Sequence, residues 1–293
     1  MALTWCGTAT LFAQSKELDT AQIDQITGAK GQMNEEENVY KVSFPREDVE
    51  VSVDGVQMPP FMGLTSWAAF KPGMKDGTVM VMGDMVLFQD EVSPAMSAAL
   101  DSGLSVTALH NHFFYDEPKV YFMHIGGEGT AEKLAEGVRR VQDKVKEIRS
   151  ASPQPAKGFN HKPLPEKSDV TAAPLAEAIG SKATEKDGMV KFTIGRKVKM
   201  PCGCEVGKEM GVNTWAAFYG SDEHAFVDGD FATFEGELQS VLKALRAHDI
   251  NVVAIHNHME GENPRVIFLH YWGVGPAAEL AQGVRAALDT QRK

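Results

Sequence analysis

Cysteine is scarce in this chain of 293 residues: Cys6, Cys202 and Cys204 are too few for a disulfide framework. Positive charge is in deficit, with 29 Lys and Arg against 40 Asp and Glu and a formal net charge of -11. That balance lacks the basic footprint that nucleic acids and anionic membranes require, so neither is expected as a partner. No later apolar run approaches the ~18 residues of a membrane-spanning helix, which argues against an integral membrane segment. What remains is the composition of a globular protein with a small-molecule ligand or substrate, its oligomeric state left open. Length alone allows two ordinary domains, each with its own core.

Histidine is also uncommon, nine residues in all, yet six of them fall in one pattern written twice. Ala108-Leu109-His110-Asn111-His112 is followed by Pro118-Lys119-Val120-Tyr121-Phe122-Met123-His124. Ala254-Ile255-His256-Asn257-His258 is followed in the same spacing by Pro264-Arg265-Val266-Ile267-Phe268-Leu269-His270. Between the two copies the neighbours have drifted, from Phe113-Phe114-Tyr115 to Met259-Glu260-Gly261, whereas the histidines have not.

The repetition extends over the whole chain. Each half opens with a helix signal, capped by Asp19 or Thr20 and stopped by Gly28 in one, capped by Thr171 and stopped by Gly180 in the other. Alternating strands follow at 39–44 and 189–194, then the matched blocks Gly63-Leu-Thr-Ser-Trp67-Ala-Ala-Phe70 and Gly211-Val-Asn-Thr-Trp215-Ala-Ala-Phe218. Next come Gly83-Asp84 and Gly229-Asp230, a helix, the His-Asn-His strand, the Phe-x-His strand and a closing helix. The reading is residues 1–16 as a signal-peptide remnant, 17–149 as repeat 1, 150–168 as a Pro-rich linker and 169–293 as repeat 2. The fold class is α+β: two homologous repeats, each an antiparallel sheet with helices packed on one side, related by a pseudo-two-fold axis.

Alternation on a strand sends His110 and His112 to one face, with Val106 and Ala108 expected beside them as an apolar floor. Whether His124 joins them depends on register. Pairing that sets His124 opposite Ala108 places it one diagonal step from His110, ~7–8 Å between β-carbons. Imidazoles can close that gap around a metal, whose bonds to nitrogen are ~2.0–2.1 Å for zinc. The metal set is therefore His110, His112 and His124 in one repeat and His256, His258 and His270 in the other. The ion is a divalent transition metal, zinc first, with Mn, Fe, Ni and Cu as alternatives. A structural, hydrogen-bonded histidine cluster is the competing interpretation.

Glu91 and Glu237, each at a helix start upstream of its histidines, are candidates for a catalytic base or extra ligand; helix capping is the other explanation. Asp84 and Asp230 follow glycine and read as turn formers. Trp67 and Trp215 read as core, and the Cys202-Gly203-Cys204 pair has no counterpart in the first repeat.

The blocks Gly-x-x-(Ser/Thr)-Trp-Ala-Ala-Phe, Gly-Asp and His-Asn-His…Pro-(Lys/Arg)-Val-x-Phe-x-His resemble the LppY/LpqO family of bacterial, often exported proteins. The resemblance covers both halves and implies a two-copy layout and a periplasmic or secreted location, but no reaction. The His-Asn-His also resembles the metal motif of MPN-type metalloproteases, without the Pro and Ser-x-x-Asp that follow it there. The function expected is a metal-binding exported protein that activates water, as a hydrolase or lyase, on a small polar substrate. A non-catalytic metal- or ligand-binding envelope protein is the alternative.

Overall fold

The structure is a computed structural model and describes residues 18–291. The expected leader, residues 1–16, and Cys6 lie outside the described residues. The first repeat begins with α1 (Thr20–Thr27), β1 (Gln32–Asn34), β2 (Val39–Pro45), β3 (Ser52–Val53), β4 (Val56–Gln57) and β5 (Thr65–Pro72). It continues through β6 (Val79–Phe88), α2 (Gln89–Asp101), β7 (Ser105–His110), β8 (Asp116–Glu117), β9 (Val120–Gly129) and α3 (Ala131–Ala151). The second begins with α4 (Ala172–Ile179), β10 (Thr184–Lys186), β11 (Met189–Gly195), β12 (Val198–Lys199), β13 (Glu205–Val206) and β14 (Asn213–Gly220). It ends with β15 (Ala225–Phe234), α5 (Leu238–Ala247), β16 (Asn251–His256), β17 (Val266–Gly275) and α6 (Ala277–Asp289).

Local chemistry sets the helix ends where the sequence puts them. Asp19 caps α1 by accepting from the Gln22 N–H at 2.9 Å, and Gly28 closes it at φ 71°. Gly180 closes α4 in the same left-handed conformation. Thr171, by contrast, makes no capping bond to α4, because its hydroxyl and N–H both bond to Asp222.

The two repeats share one antiparallel sheet of 12 strands, in the order β1-β2-β5-β6-β9-β7-β16-β17-β15-β14-β11-β10. That order reads as the same sequence of equivalent strands from either edge, which is the signature of a pseudo-two-fold axis. The axis passes through the central pair, where Leu109 of β7 faces its own counterpart Ile255 of β16. The separate cores allowed by chain length are not what forms. One apolar cluster runs under the whole sheet, joining Ile23, Val92, Leu134, Leu109 and Met123 of one repeat to Leu175, Val241, Leu280, Ile255 and Leu269 of the other. All six α-helices among the described residues contribute to it, so they lie on one side.

Side chains lock the halves further. Gln239 of α5 accepts from the Val106 N–H at 2.9 Å and donates to the Val106 carbonyl at 2.8 Å, acting as a surrogate strand on β7. Ser93 of α2 donates to Asn251 Oδ1 at 2.8 Å at the equivalent place. The Pro-rich segment lacks helix and strand from 152 to 171 and crosses back over the second repeat, where Phe159 meets the Trp272 ring edge-on at 5.5 Å.

Among the described residues the other sheet face carries no α-helix, only the short 3-10 turn Pro60–Met62 beside the first histidine cluster. Two small apolar clusters cover its ends, Val49, Val51, Leu64, Val86, Phe88, Val120 and Phe122 in one repeat and Val198, Val206, Val212, Ala232, Val266 and Phe268 in the other. The histidines stand between them.

Candidate metal centre

Register decides the site. β7 and β9 pair with Ala108 opposite His124 and His110 opposite Phe122, so His124 projects from the same face as His110. β16 and β17 repeat this with Ala254 opposite His270 and His256 opposite Phe268. In each pair the register shifts by one residue, between Val106 and Ala108 and between Val252 and Ala254. Such a bulge reverses the facing of everything before it. Val106 and Val252 therefore enter the helix-side core with Leu109 and Ile255, and of the expected apolar floor only Ala108, with Ala254 in the second repeat, stays on the histidine face.

In each repeat the pairing extends across three more strands. Ser43 faces Trp67, Trp67 faces Asp84 and Asp84 faces His124. The second repeat reads Thr193, Trp215, Asp230, His270 in the same row. Asp84 and Asp230 are consequently not turn formers. They sit inside β6 and β15, and their Oδ1 atoms are buried without a hydrogen-bond partner. Sequence reasoning missed them as site residues, although Asp84 gave a cue: it is the one charged residue of an otherwise apolar strand, whereas β15 also holds Asp228 and Thr233. The preceding glycines permit close approach, since a β-carbon on Gly83 or Gly229 would fall 2.7 or 2.4 Å from the carbonyl oxygen of Trp67 or Trp215.

In the first repeat His110 Nε2 and His124 Nε2 lie 3.1 Å apart, and the His110 and His112 rings stack at 5.2 Å. His112, just past the strand end, lies flat on Phe122 with ring centres 3.3 Å apart. In the second repeat one ligand atom from each of Asp230, His256 and His258 falls within 4.8 Å of the others. His258 Nε2 is 3.4 Å from Asp230 Oδ2, and the His256 ring stacks with that of His270 at 4.9 Å. His256 Nε2 is buried and has no partner. Two donors held ~2.0–2.1 Å from a tetrahedral ion sit roughly 3.3 Å apart, so these spacings match a shared metal.

The electrostatics favour the same occupant. Burial pushes the Asp84 carboxyl up against the pull of His124, His112 and His110, and burial raises Asp230 against His270 and His256. Burial and the neighbouring His110 hold His112 below the usual histidine range; burial, His256 and His270 do the same to His258. A cation binds neutral imidazoles, and its charge would stabilise the carboxylate form that burial alone disfavours. The donor set fits a first-row transition metal, with imidazole and carboxylate oxygen in each repeat.

Glu91 and Glu237 are not at the site, which corrects their expected role. Glu91 is fully buried and accepts from Arg46 Nη1 and Nη2 at 2.8 and 2.9 Å, from the Phe88 N–H at 2.9 Å, and lies 2.9 Å from Arg149 Nε. Glu237 pairs with Arg196 and accepts from the Phe234 N–H at 3.0 Å. Each accepts the backbone N–H of the phenylalanine that opens its helix, the glutamate half of a capping box, which is the capping role. Trp67 and Trp215 are half-buried on the open face, beneath Lys41 and Lys191 at 4.2 and 4.3 Å, and are not core. Asn111 braces the loop by donating to the Val120 carbonyl at 2.7 Å. Cys202 and Cys204 are free and exposed beside the β12–β13 hairpin.

The first cluster opens into a cleft lined by Lys41, Ser43, Phe61, Trp67, Asp84 and His112. Among the described residues no helix is long and apolar enough to cross a membrane.

Comparison with known proteins adds little chemistry. A family model described as Domain of Unknown Function (DUF1259) matches twice, over residues 21–144 and 173–290. No curated protein matches the chain. Among solved structures it is similar to a trimeric bacterial microcompartment shell protein, PduB, at 11% identity over 89% of each chain. The TM-score is 0.20, a likeness too slight to carry an argument about fold or assembly.

Proposed function

The chain belongs to the DUF1259 family, and we propose that it is a metal-dependent protein with one site per repeat, acting on a small polar molecule. The observation that carries this reading is the pairing of close donors with orphaned ones: His110 and His124 Nε2 at 3.1 Å, beside Asp84 Oδ1, His256 Nε2 and Asp230 Oδ1, which are buried with no partner. An unsatisfied buried polar atom costs ~1–3 kcal/mol, and a bound cation removes that cost. A hydrogen-bonded structural cluster would leave fewer such atoms.

His110, His124 and Asp84 would hold the ion in the first repeat, and His256, His258 and Asp230 in the second, with His112 and His270 beside them. A metal there supplies Lewis acidity to a water or to a substrate oxygen, the design of a hydrolase or lyase. The protein's own groups do the rest. Asp84 sets the charge of the site, Phe122 holds the His112 ring flat, and Trp67 with Lys41 lines the entry for a polar substrate.

A non-catalytic metal- or ligand-binding role is favoured by one observation, that both candidate bases, Glu91 and Glu237, are held by arginines. The resemblance to exported LppY/LpqO proteins supports a periplasmic or secreted setting for either role. Metal content measured by mass spectrometry on untagged protein, beside a His110→Gln/His124→Gln variant, tests the reading. About two metals per chain falling to about one in the variant is expected. None in either, after soaking with Zn, Mn and Cu, overturns it.

A further inference from the structure

We infer that the two histidine clusters are one ditopic centre, holding two metals roughly 10–14 Å apart on a single open face. That centre takes a small molecule with two anionic oxygen-donor groups, one for each metal. This rests on the metal reading above and adds what the sheet's central register implies.

Leu109 and Ile255 pair across the pseudo-two-fold axis, and both side chains enter the helix-side core, 0% and 4% exposed. Their neighbours along the strands therefore project from the opposite, open face. Continuing the register from that pair sets His110 across from Ala254 and Ala108 across from His256. With the flanking pairs, one row across four strands reads Phe122, His110, Ala254, His270. The next row reads His124, Ala108, His256, Phe268. The clusters thus interlock as a checkerboard, and within these two rows they are separated by the methyls of Ala108 and Ala254.

Strand spacing sets the scale. The pairs His110/His124 and His256/His270 are centred between β9 and β7 and between β16 and β17, two strand intervals apart, and Asp84 on β6 and Asp230 on β15 draw each metal outward, towards three intervals. At ~4.7–4.9 Å per interval the two metal positions are roughly 10–14 Å apart. Centres that share one bridging oxygen hold their metals ~3.5–4 Å apart, so that arrangement is excluded here. A molecule long enough to offer a carboxylate or phosphate oxygen to each metal is the occupant that fits. Once one end is bound, the other is presented to its metal at high effective concentration, so such a ligand outbinds a single-headed one without any further contact.

Copper(II) provides the probe. The protein is loaded with two equivalents and the Cu–Cu separation is read from dipolar splitting in electron paramagnetic resonance. Straight-chain α,ω-dicarboxylates of increasing length are then titrated against a monocarboxylate. A strong coupling at about 10–14 Å is expected, together with a chain-length optimum at least about 10-fold tighter than the monocarboxylate. The His110→Gln/His124→Gln and His256→Gln/His258→Gln variants, their folding checked by circular dichroism, should each keep one copper, lose the coupling and lose the length preference. Two coppers bound without coupling, or coupled with no preference for two-headed ligands, overturn this inference and leave the metal reading standing. No copper bound by the parent protein overturns both.

Discussion

Ala108 stands directly opposite His124, and this one register places the third histidine of the repeat on the face of the first. A slip of one residue would send His124 into the helix-side core in place of Met123. Replacement of His124 by Gln should therefore weaken metal binding in the first repeat by more than the roughly 10–100-fold typical of an outer-sphere change. Competition with a chromophoric chelator measures this, and an unchanged affinity would remove His124 from the site.

Asp84 offers a different test, because it contributes charge as well as a donor atom. Asp84→Asn keeps the shape and one oxygen but removes the anion. Metal affinity should fall by about 10–100-fold while the fold persists, since the parent carboxyl is already raised by burial and its Oδ1 has no partner to lose. Without metal, the thermal midpoint of Asp84→Asn should equal or exceed that of the parent. A large loss of apo-protein stability would instead assign Asp84 a structural role.

Glu91 should behave in the opposite way. Glu91→Ala leaves Arg46 and Arg149 buried without their shared carboxylate. Removing one partner of a buried ion pair costs ~3–5 kcal/mol, to be read from denaturant midpoints. Metal stoichiometry of the surviving folded protein should not change. A loss of metal at preserved stability would return Glu91 to the site.

Acid sensitivity follows from Asp48. Burial alone would raise its carboxyl, yet the hydrogen bonds and charge of Arg46 hold it below the ordinary carboxylate range. A folded pKa below the unfolded one contributes stability above the unfolded value, and that contribution is lost as pH falls through the folded one. Asp48→Asn should thus lower stability near neutral pH and flatten its decline below about pH 4. Because the side chain is 39% exposed, solvent screening keeps the effect below ~1 kcal/mol. Equal acid slopes for parent and variant in urea titrations from pH 3 to pH 7, about the range in which carboxylates titrate, would contradict this.

Gly229 packs where no side chain fits. A β-carbon there would lie 2.3 Å from Tyr271 Cζ and 2.4 Å from the Trp215 carbonyl oxygen. Gly229→Ala should cost about 1–3 kcal/mol, and by shifting the strand beside Asp230 it should also weaken the second metal site more than the first. Gly236→Ala, where a β-carbon meets nothing, is the matched control.

The sequence by itself determined the duplication, the helix stops at Gly28 and Gly180, and the six histidines as the place to look. These are local facts, carried by spacing and by residues whose backbone or side-chain chemistry has few alternatives. The register that sets His124 opposite Ala108 was reachable from the same spacing, because a seven-residue loop and strand alternation leave few choices.

Tertiary structure decided the rest. The bulges before Ala108 and Ala254 shift the facing of a strand by one extra residue, and nothing in Val106 or Val252 announces that. Asp84 and Asp230 join the site only through pairing with strands distant in the chain, and Glu91 and Glu237 leave it because arginines from other elements reach them first. The meeting of Leu109 with Ile255, which makes two repeats one sheet and two clusters neighbours, is a contact between surfaces. Such contacts depend on the complementarity of whole faces, a property that no short stretch of sequence contains.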